Sequence, residues 1–150
     1  KKRRSPHQKQ APAILMVANA LYGEHYETLP MRHQWAVAED TLTVEYAWKK
    51  GNWHSMKAVA ENRLLPIEAG SEPEFITEHY WGYTKTGKFK TSEYGVEHPR
   101  WDIYPVREYT LDVDFGKIYG QPFMFLDKLK PASVFLAEGS RILVNSKRIL

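Results

Sequence analysis

The chain has 150 residues, which fits one domain, and a formal net charge of +3. It contains no cysteine, which excludes disulfides, cysteine-bound zinc and thiol catalysis. Four basic residues open the chain, and the rest carries 17 basic against 18 acidic residues, so we predict no nucleic-acid partner, which would require positive charge on the folded surface. No apolar run reaches the ~20 residues of a membrane span, which predicts no membrane partner, and the absence of cysteine is compatible with a cytoplasmic protein.

The first 22 residues divide into a polar arm and an apolar helix. Residues 1–10 form the basic arm, and we assign residues 11–150 to a single domain. Pro12 suits the first position of a helix, and residues 13–22 are apolar on nearly all sides apart from Asn19. A helix without a polar face is usually buried, so we expect this one in the core, ending at Gly23.

The same N-terminal segment also resembles a secretory signal peptide. A charged start, a short apolar stretch and the small-residue triplet Ala18-Asn19-Ala20 match that signal's three parts. Since the chain lacks an initiating Met, we favour a trimmed protein or a fragment of a longer one.

After Pro30 the apolar period changes from helical to two. Turn residues separate three alternating runs, which predict an antiparallel meander with one face buried. The residues on the apolar face are Met31, His33, Trp35 and Val37, then Leu42, Val44, Tyr46 and Trp48, then His54, Met56, Ala58 and Ala60.

A short helix and a hairpin are predicted next. Ser71 and Glu74 form a capping box, which starts a helix that we expect to end at Gly82. Thr86-Gly87 then predicts a tight hairpin turn. Pro99 cannot donate to a ladder, so the chain must leave the sheet near His98.

The remaining sequence predicts more strand than helix. Polar and apolar residues alternate over residues 106–114, which predicts a strand, and residues 115–120 fit one helical turn. We predict a short strand over residues 123–126 and a last long strand over residues 133–144, with a bulge at Gly139. The fold class is therefore α+β. We expect a mainly antiparallel curled sheet or β-barrel of about seven strands, with one buried N-terminal helix and one short helix.

Three stretches resemble the YqjF-like family of uncharacterised bacterial proteins. They are residues 75–83 (FITEHYWGY), 96–101 (VEHPRW) and 133–140 (SVFLAEGS), and they occur in the family's order. The resemblance implies that this chain matches the C-terminal portion of a longer family domain. It also implies, at fold level, a barrel like that of acetoacetate decarboxylase, although fold alone does not fix function.

The fold analogy raises the hypothesis of a decarboxylase-type lyase. Such chemistry needs a lysine amine that is desolvated or placed beside another cation, and Lys49-Lys50 is an adjacent pair. The pair precedes the predicted Gly51-Asn52 turn, so two solvated surface lysines are the simpler interpretation.

The family-like stretches contain the candidate ligand-binding residues. Glu78 and His98 suggest an acid–base pair, Tyr83 a hydrogen-bond donor, and Trp101 one wall of a pocket. The full candidate set is Glu78, Tyr80, Tyr83, His98, Arg100 and Trp101. A structural alternative stays open, in which a carboxylate holds the His-Pro bend and the aromatics fill a core.

We therefore predict a protein that binds a small organic molecule in an aromatic-lined cavity, with Arg100 facing a ligand carboxylate. Neither a cofactor nor a metal site is predicted, because His33, His54, His79 and His98 show no ligand spacing. Catalytic residues are not assigned. The alternative function is a non-catalytic protein–protein interaction domain, and homo-oligomers stay open.

Overall fold

The computed structural model describes residues 27–150, so the basic arm and the helix predicted over residues 12–22 lie outside the described residues. Nine strands and three short helical segments follow one another along this part of the chain. The strands are β1 (Met31–Val37), β2 (Thr41–Lys50), β3 (Asn52–Glu61), β4 (Trp81–Gly87), β5 (Lys90–Glu97), β6 (Ile103–Asp112), β7 (Phe135–Ala137), β8 (Leu143–Val144) and β9 (Arg148–Ile149). The helical segments are α1 (Glu72–Thr77), α2 (Phe115–Tyr119) and a 3₁₀ helix (Gln121–Lys128).

The chain forms two compact units. The large unit comprises Leu29–Thr77 and Arg100–Ser140, and the described part of the small unit comprises residues 27–28, Glu78–Pro99 and Arg141–Leu150. The large unit contains a sheet in the order β1-β2-β3-β6-β7. In the small unit the order is β4-β5-β8, and β9 also pairs with β5.

Every strand pair in the described chain is antiparallel, which confirms a mainly antiparallel fold of curled sheets with few helices. The nine strands exceed the predicted seven because the C-terminal region forms three short strands. Closure of the sheets into a barrel stays a prediction.

The predicted three-stranded meander is confirmed, and its register agrees with the apolar period. Val44 lies opposite Trp35 on one side and Ala58 on the other, so the apolar positions share a face. Leu42, Val44 and Ala60 are buried on this face. All seven residues of β1 are exposed, so the core of the large unit lies against β2 and β3 rather than against the edge strand.

The helix α1 begins as predicted but ends five residues early. The Ser71 hydroxyl accepts a hydrogen bond from the Glu74 amide at 3.4 Å, while the Glu74 carboxylate accepts from Gly70 rather than from Ser71. The helix ends at Thr77, and Trp81 starts β4. The predicted helix was therefore too long, because Trp81 and Gly82 belong to β4 and residues 78–80 form the entry to this strand.

Two C-terminal predictions were also wrong. Residues 123–126 lie in the 3₁₀ helix rather than a strand, since Pro122 stands at its start and suits a helical first turn. The long strand predicted over residues 133–144 is broken into β7 and β8. Gly139, at a φ of +72°, lies between them and turns the chain out of the sheet instead of forming a bulge inside a strand.

Gly82 of β4 gives a test of the small unit's packing. A Cβ at Gly82 would lie 2.2 Å from the ring of Tyr94, its cross-strand partner, whereas a Cβ at Gly87 would meet Lys90 at an ordinary 3.6 Å. We expect Gly82→Ala to lower the free energy of unfolding by about 1–3 kcal/mol, because the ring must leave its site. Urea denaturation measures the loss. Gly87→Ala on the same strand is the control, and an equal effect of both variants would contradict the close packing.

Candidate functional site

A trough of about 370 Å³ opens on the polar face of the large unit's sheet. Strand register places four of its residues in one row across β1, β2, β3 and β6, because each is the direct partner of the next. The row runs Arg32, Ala47, Ser55, Asp112. Small side chains therefore stand on the two central strands, and larger charged ones stand at both ends.

One end of the trough is formed by a stacked cation. The guanidinium carbon of Arg32 lies 3.7 Å from the centre of a Trp53 ring, a cation–π contact. Arg32 stands on β1 and Trp53 on β3, so its side chain reaches across β2, where Ala47 is buried. A larger residue at position 47 would occupy this crossing, so Ala47 permits the stack.

Two carboxylates and an amide complete the polar wall. Glu45 lies directly between Gln34 on β1 and Lys57 on β3, one step along β2 on the same face as Ala47. Within residues 27–150, Arg32, Glu45 and Asp112 make no ion pair with one another. The trough therefore presents one cation and two anions to whatever occupies it.

His33 and His54 border the trough, but their side chains belong to the opposite face of the sheet. The ring of His33 is 6.1 Å from that of Tyr46, and His54 stacks on Trp48 at 5.9 Å. His54 is buried and its Nδ1 accepts a hydrogen bond from the Asp114 amide at 3.2 Å. This contact ties the chain after β6 to β3 and so fixes the end of the trough that carries Asp112.

Three of the predicted site residues come together in the small unit. The Tyr80 hydroxyl donates to the Oε2 atom of Glu78, and its ring lies 4.9 Å from that of His98. His98 Nδ1 lies 2.9 Å from the carbonyl oxygen of Pro99 and donates to it. The Oε1 atom of Glu78 is buried and has no hydrogen-bond partner among the described residues. Tyr80 thus links the predicted acid and base.

Tyr83 does not join this cluster. It lies opposite Glu93 and contacts its carboxylate, which also accepts a hydrogen bond from Arg148 of β9. The hydrogen bond from Arg148, as the largest cause, and that from Tyr83, as the second, hold the pKa of Glu93 below its ordinary 4.5. The Glu93 carboxylate in turn raises the pKa of Tyr83 above 10.0. A hollow of about 200 Å³ adjoins this trio and is lined by Trp81, Glu93, Tyr94, Gly95, Asn145, Ser146 and Arg148.

Arg100 and Trp101 lie in the large unit, each with a partner there. The Arg100 guanidinium contacts the Glu74 carboxylate at 2.6 Å and the Ile67 carbonyl at 3.1 Å. The Gly70 amide, and then Arg100, hold the pKa of Glu74 below its ordinary value. Trp101 Nε1 donates to the Ser140 hydroxyl at 2.9 Å. The carboxylate that Arg100 contacts is thus one that anchors α1.

The geometry gives no support to amine catalysis at Lys49 and Lys50. Both lie at the end of β2, before the tight turn at Gly51, whose φ is +72°. Successive residues of a strand point to opposite faces, so the two ammonium groups do not face each other. Among residues 27–150, no cluster of three or more His, Asp or Glu side chains is placed to hold a metal ion.

The trough is not apparent from the sequence pattern. Its residues alternate with the apolar ones of the meander, so the period of two places them only on the solvent face. The signal was the coincidence of small residues, Ala47 and Ser55, at central positions flanked by Arg32 and Asp112. This coincidence becomes visible only when the strand register is known.

The two-sheet architecture, with short helices and a polar trough, defines an α+β protein built mainly from antiparallel strands. The chain belongs to the DUF2071 family, described as an uncharacterized conserved protein, whose model matches residues 8–141. This match confirms the resemblance to YqjF-like proteins. Neither a curated protein nor a solved structure matches the chain. In the described part of the chain, no helix has the length and hydropathy needed to cross a membrane.

The Glu93 trio predicts a pH-dependent stability. Because the folded pKa of Glu93 is depressed, its contribution is present above about 4.5 and is lost as the pH falls through the lower folded value. We expect the stability difference between the wild type and Glu93→Gln to shrink as the pH falls below 4.5. Urea denaturation of both proteins across this range measures it.

The matched control removes the main cause of the shift. In Arg148→Gln, we expect the pKa of the Glu93 carboxyl, measured by NMR titration, to rise toward 4.5. In Tyr83→Phe we expect a smaller rise of the same pKa. A Glu93 pKa that is the same in all three proteins would contradict the assignment.

Proposed function

We propose that the protein binds a small polar organic molecule in the trough on the large unit's sheet. The observation that supports it is the row Arg32, Ala47, Ser55, Asp112, in which charged ends border a floor of small residues. Ligand pockets are typically 300–1,000 Å³ with a few placed polar groups, and the trough has about 370 Å³. The ligand would lie along Ala47 and Ser55.

This proposal keeps the predicted small-molecule function and changes its principal site. The cavity was expected near residues 75–101, where the cluster of Glu78, Tyr80 and His98 remains a candidate contact set. The trough has the larger volume, and its charges of both signs make no ion pair with one another among residues 27–150, which favours it as the principal site. A cytoplasmic location remains part of the proposal, because the absence of cysteine suits a reducing compartment.

Ser55 and Thr43 give a matched test of the site. Both are half-buried hydroxyl residues on the same face of the sheet, but only Ser55 lines the trough. We expect a panel of small amino acids, carboxylates, amines and diols to shift the amide signals of Ala47 and Ser55 in NMR spectra. Ser55→Met should remove this binding by filling the floor, and Thr43→Met should retain it. Binding that survives Ser55→Met, or a panel that shifts no trough signal, would contradict the proposal.

A second candidate function, protein–protein interaction, is favoured by the edge strand β1. Its seven residues are all exposed, and Met31, Trp35 and Val37 form an apolar row with 62%, 50% and 69% of their surface accessible. A long, apolar edge without Pro is a template for strand addition. The occupant that fits is a second copy of β1, paired antiparallel about Gln34, because this pairing brings the apolar residues of both copies onto one face.

Trp35 tests this second candidate. We expect the wild type to form dimers at low micromolar concentration and Trp35→Lys to stay monomeric, because it introduces charge at the centre of the apolar row. Sedimentation equilibrium measures the mass. Phe89→Lys is the control, since Phe89 is an exposed aromatic residue of the small unit outside β1. A monomeric wild type, or dimers unaffected by Trp35→Lys, would exclude pairing through β1.

A further inference from the structure

We infer that the trough selects a zwitterion, with the ligand's carboxylate at Arg32 and its ammonium group at Asp112. The inference deepens the proposed function and rests on it. Arg32, Glu45 and Asp112 make no ion pair with one another in the described chain, and the row has opposite charges at its two ends, Arg32 on β1 and Asp112 on β6.

The anion-binding end is held in place by the stack on Trp53. An arginine stacked on an aromatic ring keeps its planar edge of N–H donors available, and that edge suits a carboxylate. Because the Arg32 side chain already crosses β2 to reach Trp53, its guanidinium stands over the strand adjacent to Asp112. The contact therefore fixes the cation close to the floor of the trough rather than in bulk solvent.

The cation-binding end carries the Asp112 carboxylate, and Glu45 stands beside the row on β2. Glu45 and Asp112 are separated by two strand spacings and two residues, so their Cα atoms are roughly 12 Å apart. Asp112 therefore provides the contact for the ammonium group, and Glu45 adds negative charge along the trough. The Ser55 hydroxyl lies in the row beside Asp112 and adds an acceptor. The charged side chains of the lining are Arg32, Glu45 and Asp112, one positive and two negative, which favours a ligand that brings an amine.

The separation of the two ends sets the length of the ligand. The Arg32 guanidinium lies over Trp53, so the position of Trp53 gives the position of the cation. Trp53 and Asp112 lie on neighbouring strands and differ by two residues in register, so their Cα atoms are roughly 8 Å apart. The trough has room for roughly a dozen atoms at about 30 Å³ each, the volume share of a water molecule. A flexible ω-amino acid such as 6-aminohexanoate has a comparable length and volume.

Four probes of matched length test the inference: 6-aminohexanoate, hexanoate, hexylamine and hexane-1,6-diol. Isothermal titration calorimetry and NMR measure affinity and site. We expect 6-aminohexanoate to bind roughly two- to fivefold more tightly than either singly charged probe, since each exposed ion pair contributes at that level. Arg32→Gln should reduce 6-aminohexanoate to the affinity of hexylamine. The pair Glu45→Gln and Asp112→Asn together should reduce it to the affinity of hexanoate.

The outcomes separate this inference from the function on which it rests. If the diol binds in the trough as tightly as 6-aminohexanoate, and the charge variants leave both affinities unchanged, zwitterion selection is wrong and small-molecule binding stands. If no probe shifts a trough signal in the folded wild type, zwitterion selection is contradicted and the panel of small polar molecules decides the proposed function separately. Arg32→Lys keeps the charge without the planar fork, so an intermediate affinity supports recognition of a carboxylate by the guanidinium.

Discussion

The register of β2 against its neighbours is the constraint on which the large unit depends. Side chains alternate between the faces of a strand, so a slip of one residue exchanges the apolar and polar sets. The observed register aligns Val44 with Trp35 and Ala58 on one face, and Ala47 with Arg32 and Ser55 on the other. The same pairing that buries the core therefore also assembles the trough, and neither can be changed without the other.

The trough exists because the register places small residues on the two central strands. Ala47 is among the few buried residues of the polar face, and the side chain of Arg32 crosses above it to Trp53. Antiparallel strands lie ≈4.8 Å apart, so only small side chains on the two central strands leave a hollow between the charged ends. The trough results from side-chain size on a regular sheet, without an irregular loop or a strained backbone.

The sequence predicted the meander because apolar residues alternate within each of the three runs between Met31 and Ala60, and the register confirms it. The end of α1 was predicted wrongly at Gly82, because Trp81 and Gly82 pair with β5 and so belong to β4. The prediction of one long C-terminal strand was wrong at Gly139. Its positive φ is a conformation that a glycine allows but does not require.

The candidate site was less accessible to prediction than the fold. Glu78, Tyr80 and His98 do meet, because the strand entry and the His-Pro bend lie in the same unit. Tyr83 instead contacts Glu93, since its strand position directs it to the face that also carries Arg148. The trough residues come from four strands, so no local pattern relates Arg32 to Asp112, and only the register brings them into one row.

The most direct test of this account is the register itself, measured as interstrand Hα and amide NOEs in the free protein. The account predicts contacts between Ala47 and Ser55 and between Ser55 and Asp112, with Arg32 opposite Ala47. NOEs displaced by one residue would move Arg32 or Asp112 to the apolar face, and would contradict both the trough and the function proposed for it.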